Sequence, residues 1–324
     1  MTPENHQRSI PKSTDVLGET LYSLRLNGIV YAKSELTAPW GIDMPPMAGK
    51  MMFHIVTQGR CYLRLTDHPL IELLPGDLAL LPKGEGHCFY SEPSTACESF
   101  FDLPVKKLSE RFELIHYGGG GKTTLLTCGV LSFDHVAGQK LISQLPSVIH
   151  MGNENGQLPK SLQPLLQLMA EEIVSLKTGG ETVTANLADI IVIKAIRHWI
   201  EQSPSASHGW LAGLKDPKIG KALAVMHTQP EFTWTIDRLA NKAGMSRSGF
   251  SARFTNVMGV SAKQYLTDWR MNLARMRILQ SPISLIDLAE ELGYSSEAAF
   301  SRAYKRVFGV PPLRQSHRAV RSED

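Results

Sequence analysis

Three hydrophobic patterns follow one another along the chain. Between about residues 15 and 135, apolar and polar positions alternate in short runs broken by turn residues, the mark of half-buried strands. The runs fall at 22–26, 52–57, 61–65, 71–74, 78–81, 88–90 and 125–133, with Pro75-Gly76-Asp77 and Pro82-Lys83-Gly84 separating some of them. Many short strands at close spacing predict a β-barrel or sandwich. From about 160 to 203 the period becomes helical. Leu162, Leu165, Leu166 and Met169 form one stripe that stops at Gly179-Gly180, and a second helix runs from about 184 to 202, apolar on more than one side. Such a helix is buried against more than one surface, either the strands or a second copy of the chain. The small, polar stretch 203–209 predicts a linker, and from Trp210 onward the pattern is helical again. The whole reads as an α+β protein with a strand-rich half, a helical appendage and an all-α C-terminal third.

That last third repeats itself. Ile236-Asp237-Arg238-Leu239-Ala240 recurs as Leu285-Ile286-Asp287-Leu288-Ala289, and Gly244-Met245-Ser246 as Gly293-Tyr294-Ser295. Phe250, Phe254 and Gly259 recur one residue later in register as Phe300, Tyr304 and Gly309. Each copy, 236–259 and 285–309, reads as helix, tight turn, helix. Gly244 and Gly293 make the turns, where a left-handed backbone costs little without a Cβ. Ser246 and Ser295 are predicted N-caps. The aromatic pairs lie four apart and share the core face. The opposite face of the first copy is predicted to carry Arg247, Ser248, Ser251, Ala252 and Thr255; that of the second, Glu297, Ala298, Ser301, Arg302, Lys305 and Arg306. Short side chains with an occasional Arg suit a helix lying in the major groove, where Arg pairs with guanine. Between the copies, 261–279 reads as one continuous helix with an apolar stripe through Tyr265, Leu266, Trp269, Leu273 and Met276.

Charge sharpens this division. The chain carries +3 overall, but residues 215–324 hold 17 basic against 10 acidic side chains, a net +7, and the remainder is at −4. One module is suited to phosphate and the other is not. The four cysteines, at 61, 88, 97 and 128, form no Cys-x-x-Cys pair, so a zinc knuckle is not expected. The polar N-terminus lacks the apolar core of a signal peptide. The most apolar stretch, 187–196, is broken by Asp189 and Lys194 and falls far short of the roughly 20 residues a membrane span needs. A cytoplasmic location with reduced thiols is expected. The run Gly118-Gly119-Gly120-Gly121-Lys122-Thr123 imitates a phosphate-binding loop. It lacks the first glycine (His116 stands there) and leads into a strand rather than a helix, so it is read as a hairpin loop.

The segment 219–312 resembles the DNA-binding domain of the AraC/XylS family. GYSSEAAFSRAYKRVFGVPP (293–312) is close to the family's most diagnostic stretch, and RLANKAGMSRSGFSARF (238–254) matches its first unit. Ala262 replaces a proline common in the family, Gln315 replaces an aromatic, and Ala252 stands where an Arg often projects towards DNA. The resemblance implies a homodimeric regulator, more often an activator, that binds double-stranded promoter DNA and RNA polymerase and has no membrane partner.

Residues 76–87 (GDLALLPKGEGH) resemble the second cupin motif, with Ser91 in place of its Asn, and 53–59 resemble the end of the first. The first motif's His-x-His and Glu ligands are missing: Met52 replaces the Glu, and Pro45-x-Met47 falls in the His-x-His slot. Cupin oxygenase chemistry thereby loses its metal set, and a cupin enzyme with a DNA-binding tail stands as the alternative to a regulator. A repressor without an effector is a third. Residues 15–203 resemble the cupin-type sensor of one AraC subfamily, with helices at 160–203 for dimerisation and 204–218 as linker and lead-in before 219–324. His54, His87 and Cys128 are the candidate sensor residues. Pointing into one barrel, they would form a soft His/His/Cys site for zinc or copper, or leave Cys128 as a redox reporter. The plain alternative is that all three pack as core residues.

Overall fold

The computed structural model of the protein describes residues 17–18, 21, 26–133, 136–152, 158–175, 177–203, 209–280 and 283–312. The predicted strand at 22–26 and the linker at 203–209 therefore lie mostly outside the described residues. The chain divides into two compact units, one of Ser23–Ser203 and one of Pro204–Asp324 together with Met1–Tyr22.

The N-terminal unit contains two sheets. Strands β1 (Asn27–Thr37), β3 (Lys50–Gln58), β6 (Leu78–Leu81), β9 (Val105–Lys107), β10 (Phe112–Gly118), β11 (Thr123–Ser132) and β12 (Ile149–Met151) form a seven-stranded sheet in the order β12-β6-β3-β11-β1-β10-β9. Strands β2 (Gly41–Met44), β4 (Cys61–Leu65), β5 (Ile71–Leu73), β7 (His87–Tyr90) and β8 (Glu98–Ser99) form the second, in the order β5-β4-β7-β2-β8. The sheets do not close on each other, so the predicted barrel is an open, two-sheet, cupin-like fold. They share one apolar core that includes Leu36, Trp40, Ile42, Val56, Leu63, Leu81, Phe89 and Leu126. β3 pairs with β6 on one side and β11 on the other, and nearly all its side chains are buried whatever their parity. β4 keeps a clean buried/open alternation, as expected of a sheet with one wet face.

The glycine run is not a hairpin. β10 and β11 both pair with β1, which lies between them, so residues 119–122 cross the end of β1. The Gly119 N–H donates to the Thr37 carbonyl at 2.7 Å and the Gly121 N–H to the Ala38 carbonyl at 2.8 Å. A Cβ on Gly118, Gly119 or Gly121 would collide with Thr37, Pro39 or Ala38. The run is glycine because backbone passes over backbone there.

Helices α1 (Val136–Gln144), α2 (Gln163–Ser175) and α3 (Gly180–Gln202) complete this unit. α3 buries Leu187, Ala188, Ile191, Val192, Ala195, Ile196 and Ile200 and leaves Val183 and Ile190 exposed.

The C-terminal unit is all helix: α4 (Gly209–Lys215), α5 (Ile219–Thr228), α6 (Ile236–Ala243), α7 (Arg247–Met258), α8 (Ala262–Gln280), α9 (Leu285–Glu291) and α10 (Glu297–Phe308). α6–α7 and α9–α10 are the two helix-turn-helix units, joined by α8. Gly244 ends α6 in the left-handed conformation, and the Ser246 hydroxyl caps α7 by accepting from the Gly249 N–H. In the second unit the N-cap is Ser296, accepting from the Ala299 N–H, and not Ser295 as predicted. The one-residue excess of the second copy sits in this turn, between Gly293 and the cap. Phe250, Phe254, Phe300 and Tyr304 are fully buried, as their spacing requires.

Two polar clusters brace the helices. The Tyr265 hydroxyl accepts from the Trp210 indole N–H at 2.8 Å and is hydrogen-bonded to His227 Nε2 at 2.8 Å. The His227 ring stacks on Trp269 at 3.8 Å, so α4, α5 and α8 meet at one point. Further along α8, the Arg270 guanidinium donates to the Pro230 carbonyl at 2.6 Å and the Phe232 carbonyl at 2.9 Å and lies 5.6 Å from the Tyr294 ring. Arg270 thus ties the segment before α6 to the second helix-turn-helix.

Gly293 carries a double constraint: its φ is +73°, and a Cβ there would fall on the Glu231 carbonyl oxygen. Gly259 has the same φ of +73° with open space around it. Gly259→Ala should cost about 1 kcal/mol, and Gly293→Ala clearly more, about 1–3 kcal/mol plus the displaced contact. Urea unfolding of the two variants checks the order; equal losses would mean the Glu231 contact is not felt.

Candidate DNA-reading surface and sensor cavity

A helix advances by about 100° per residue, so the direction opposite each buried aromatic pair can be read residue by residue. On α7, Ser248, Ala252 and Thr255 point away from Phe250 and Phe254, and all three are exposed. Ser251 is exposed on the flank. Arg247 falls towards the core side and is held by Asp237 at 3.2 Å, so its predicted place on the outward face is corrected. Asn256, absent from the sequence-based set, shares the outward face and is exposed; its position two residues past Phe254 was the available signal. On α10, Ala298, Arg302, Lys305 and Arg306 point outward and are exposed, Ser301 is half-buried on the flank, and Glu297 stands in the first turn. A carboxylate there complements the helix dipole rather than meeting phosphate.

Which cations are available is decided by what the others already hold. Arg253 binds Asp216 at 2.7 Å, Arg277 binds Glu291 at 3.1 Å, and Arg247 binds Asp237. Arg238 donates to the Thr233 carbonyl, and Arg270 is committed as described. Burial pushes the Asp216 carboxyl up, but the Ile219 N–H, Arg253 and the Lys218 N–H outweigh it and hold it below the usual carboxylate range. Among the described residues, Arg302, Lys305 and Arg306 form no ion pair with a carboxylate, and they sit side by side on one helix face.

In the N-terminal unit, β3 carries His54 and β7 carries His87. His87 Nε2 lies 3.1 Å from His54 Nε2, and His87 Nδ1 lies 2.9 Å from the Glu85 carbonyl oxygen. Both rings are buried, and Phe89 packs edge-on against each. Burial pushes His87 down to about 4 against the hydrogen bond to Glu85, and pushes His54 well below its ordinary range, with His87 adding to the effect. Cys128 on β11 stands opposite His54 in the antiparallel register, so both side chains share a face. Burial pushes its thiol up to about 12, the reverse of an activated redox thiol.

His54 and Cys128 line a cavity of about 40 Å³ walled largely by apolar side chains. A zinc or copper site is not assembled here. The two histidine nitrogens face each other, and among the described residues no group of three or more His, Cys, Asp or Glu is placed to hold a metal ion. Structural and catalytic zinc sites take at least three protein ligands. Of the predicted trio, His54 and Cys128 share one wall, while His87, on the other sheet, meets His54 nitrogen to nitrogen, so no ligand set forms.

Tandem helix-turn-helix units on a bracing helix, following a two-sheet unit with a largely apolar cavity, define a DNA-binding transcription regulator. Residues 15–201 match the cupin family and residues 239–317 the helix-turn-helix domain family. An AraC-like transcription regulator of Streptomyces lividans is 31% identical over 305 residues, 92% of this chain and 96% of the relative. Another, of Streptomyces antibioticus, is 30% identical over 303 residues, 92% of this chain and 97% of the relative. Among solved structures, a regulator with an AraC-type DNA-binding domain from Chromobacterium violaceum is 27% identical over 33% of this chain and 96% of its own, with a TM-score of 0.31. The chain belongs to the AraC family of transcription regulators and carries a cupin-type N-terminal domain.

The buried histidine pair makes the N-terminal unit acid-sensitive. His87 titrates near 6.5 when unfolded and near 4 when folded, so as pH falls below 6.5 only the unfolded chain gains the proton. Stability is then lost down to about pH 4, on the order of 3 kcal/mol for this one group. Urea midpoints at pH 7 and pH 5 should differ in the native chain and differ less in His87→Phe. An unchanged pH dependence in the variant would assign the acid sensitivity elsewhere.

Proposed function

We propose that this protein is a one-component, effector-responsive regulator of the cytoplasm. Its N-terminal unit receives a signal, and its C-terminal unit binds promoter DNA in a sequence-specific way. The observation that carries this is the asymmetry between the reading helices. α10 offers Arg302, Lys305 and Arg306 on its outward face, without a carboxylate partner among the described residues, while α7 offers the short, neutral Ser248, Ala252, Thr255 and Asn256. Lysine and arginine contacts to phosphate would supply salt-dependent affinity, and Arg302 would read guanine. Work as a homodimer is supported by the exposed apolar side chains of α2 and α3, Leu168, Val183 and Ile190. Activation through RNA polymerase is the mode that membership of the family suggests. Among the described residues no helix is long and apolar enough to cross a membrane.

Arg302→Ala should weaken binding to the cognate duplex by about tenfold or more, roughly the 1–3 kcal/mol of a bidentate base contact, and leave random DNA nearly untouched. Lys305→Ala should weaken both duplexes alike and lower the slope of log affinity against log salt by about one. Titrations of each variant on both duplexes at several salt concentrations separate the roles. Equal losses on both duplexes for Arg302→Ala would remove its base-reading role.

A further inference from the structure

The histidine pair determines its own proton positions. The Glu85 carbonyl can only accept, so the 2.9 Å contact to His87 Nδ1 requires a proton on that nitrogen. His87 is neutral in its apolar surroundings, so its Nε2 is bare. The 3.1 Å approach to His54 Nε2 then requires the proton of His54 to sit on Nε2. A neutral His54 with Nε2 protonated has a bare Nδ1. That atom is buried without a hydrogen-bond partner, on a side chain only 2% exposed.

His54 forms part of the cavity wall, beside Ile42, Met44, Met52, Phe89 and Leu126. The other polar residues of the wall are Ser34, Glu113 and Cys128. A buried acceptor left unmatched is costly, and the side chain that carries it belongs to the wall of a space lined mostly by apolar groups. An alkane, ether or ketone would leave the acceptor bare. A carboxylate would lose its water beside Glu113, and an ammonium, even paired with Glu113, would leave its remaining N–H groups against an apolar wall. At about 40 Å³ the hollow takes a compact group, with Met44 and Met52 able to repack around a larger one.

We propose that this cavity binds a small, neutral, mainly apolar molecule that donates one hydrogen bond to His54 Nδ1, which is the chemistry of an alcohol or phenol. The proposal rests on reading the N-terminal unit as a sensor.

The probes are phenol and toluene, which share a shape and differ by the donor. In the full chain labelled with ¹⁵N-histidine, the free protein should show His54 protonated on Nε2 and bare on Nδ1. Phenol should move the Nδ1 resonance towards the protonated-nitrogen side, and toluene should not. A free protein with Nδ1 protonated, no shift with phenol up to the concentration that begins to unfold the protein, or the same shift with toluene would each overturn the proposal. In His54→Phe, the affinity for phenol relative to toluene should fall about three- to tenfold, and an unchanged ratio would move phenol to another site. Gel shifts on promoter DNA with the same preparations keep the two readings apart. Loss of DNA binding in every state would sink the regulator reading, whereas intact DNA binding with no phenol response sinks only the cavity assignment.

Discussion

The C-terminal unit depends on one constraint, the rigidity of α8. Two reading helices of twelve residues each carry little stability of their own, and they read one duplex only if their separation is fixed. α8 spans 19 residues, about 28 Å at helical rise. It is immobilised at both halves by different means. Its N-terminal half buries Tyr265 and Trp269, with the hydroxyl of the first satisfied by Trp210 and His227. Its C-terminal half contributes Met271 and Ala274 to the core that also holds Leu288, Phe300 and Tyr304. Arg270 sits at the changeover and binds the segment that precedes the first helix-turn-helix while lying over the second. Each unit's core therefore ends on the same helix, and neither can turn without disturbing α8.

This bracing also sorts the charge. Of the cations that make the C-terminal third basic, the arginines at 247, 253 and 277 neutralise carboxylates, and those at 238 and 270 bind backbone carbonyls. Of the cations that remain, Arg302, Lys305 and Arg306 share the outward face of α10. A count of basic residues in the sequence treats them alike, whereas in the folded unit five of the arginines are already committed to carboxylates or carbonyls. The first unit has correspondingly little charge to offer, and its outward face suits close approach rather than attraction.

The parts that were legible in the sequence are those set by local rules. Glycine at a left-handed turn, a hydroxyl cap and aromatics four apart located both helix-turn-helix units to within a few residues. The failures arose where something other than those local rules decided the outcome. β1 was missed because Lys33, Ser34 and Glu35 break its alternation, yet pairing with β10 and β11 on its two sides holds it extended. The cap moved from Ser295 to Ser296 because an inserted residue was absorbed in the turn. Arg247 was placed on the DNA face because nothing local announces Asp237 as its partner. The glycine run was read as a hairpin because a strand from 80 residues earlier lies between its two ends.

The sensor residues are the most instructive of these cases. Sequence brought His54, His87 and Cys128 to one place; in the fold the β3–β11 register sets Cys128 beside His54, and His87, on the other sheet, meets His54 at 3.1 Å. Chemistry then turns on orientation, which no spacing rule reports. Had both His Nε2 atoms pointed into the cavity, two bare nitrogens and a thiol would make a soft metal set. With the nitrogens facing each other, two protons run in series, one from His54 Nε2 to His87 Nε2 and one from His87 Nδ1 to the Glu85 carbonyl, and His54 Nδ1 is left bare. The replacement of the cupin Glu by Met52 works in the same direction, since it removes an anionic ligand and adds a polarisable apolar wall. Loss of the ligands and closure of the histidine pair therefore act together, and leave a mostly apolar hollow beside a histidine with one unmatched buried nitrogen.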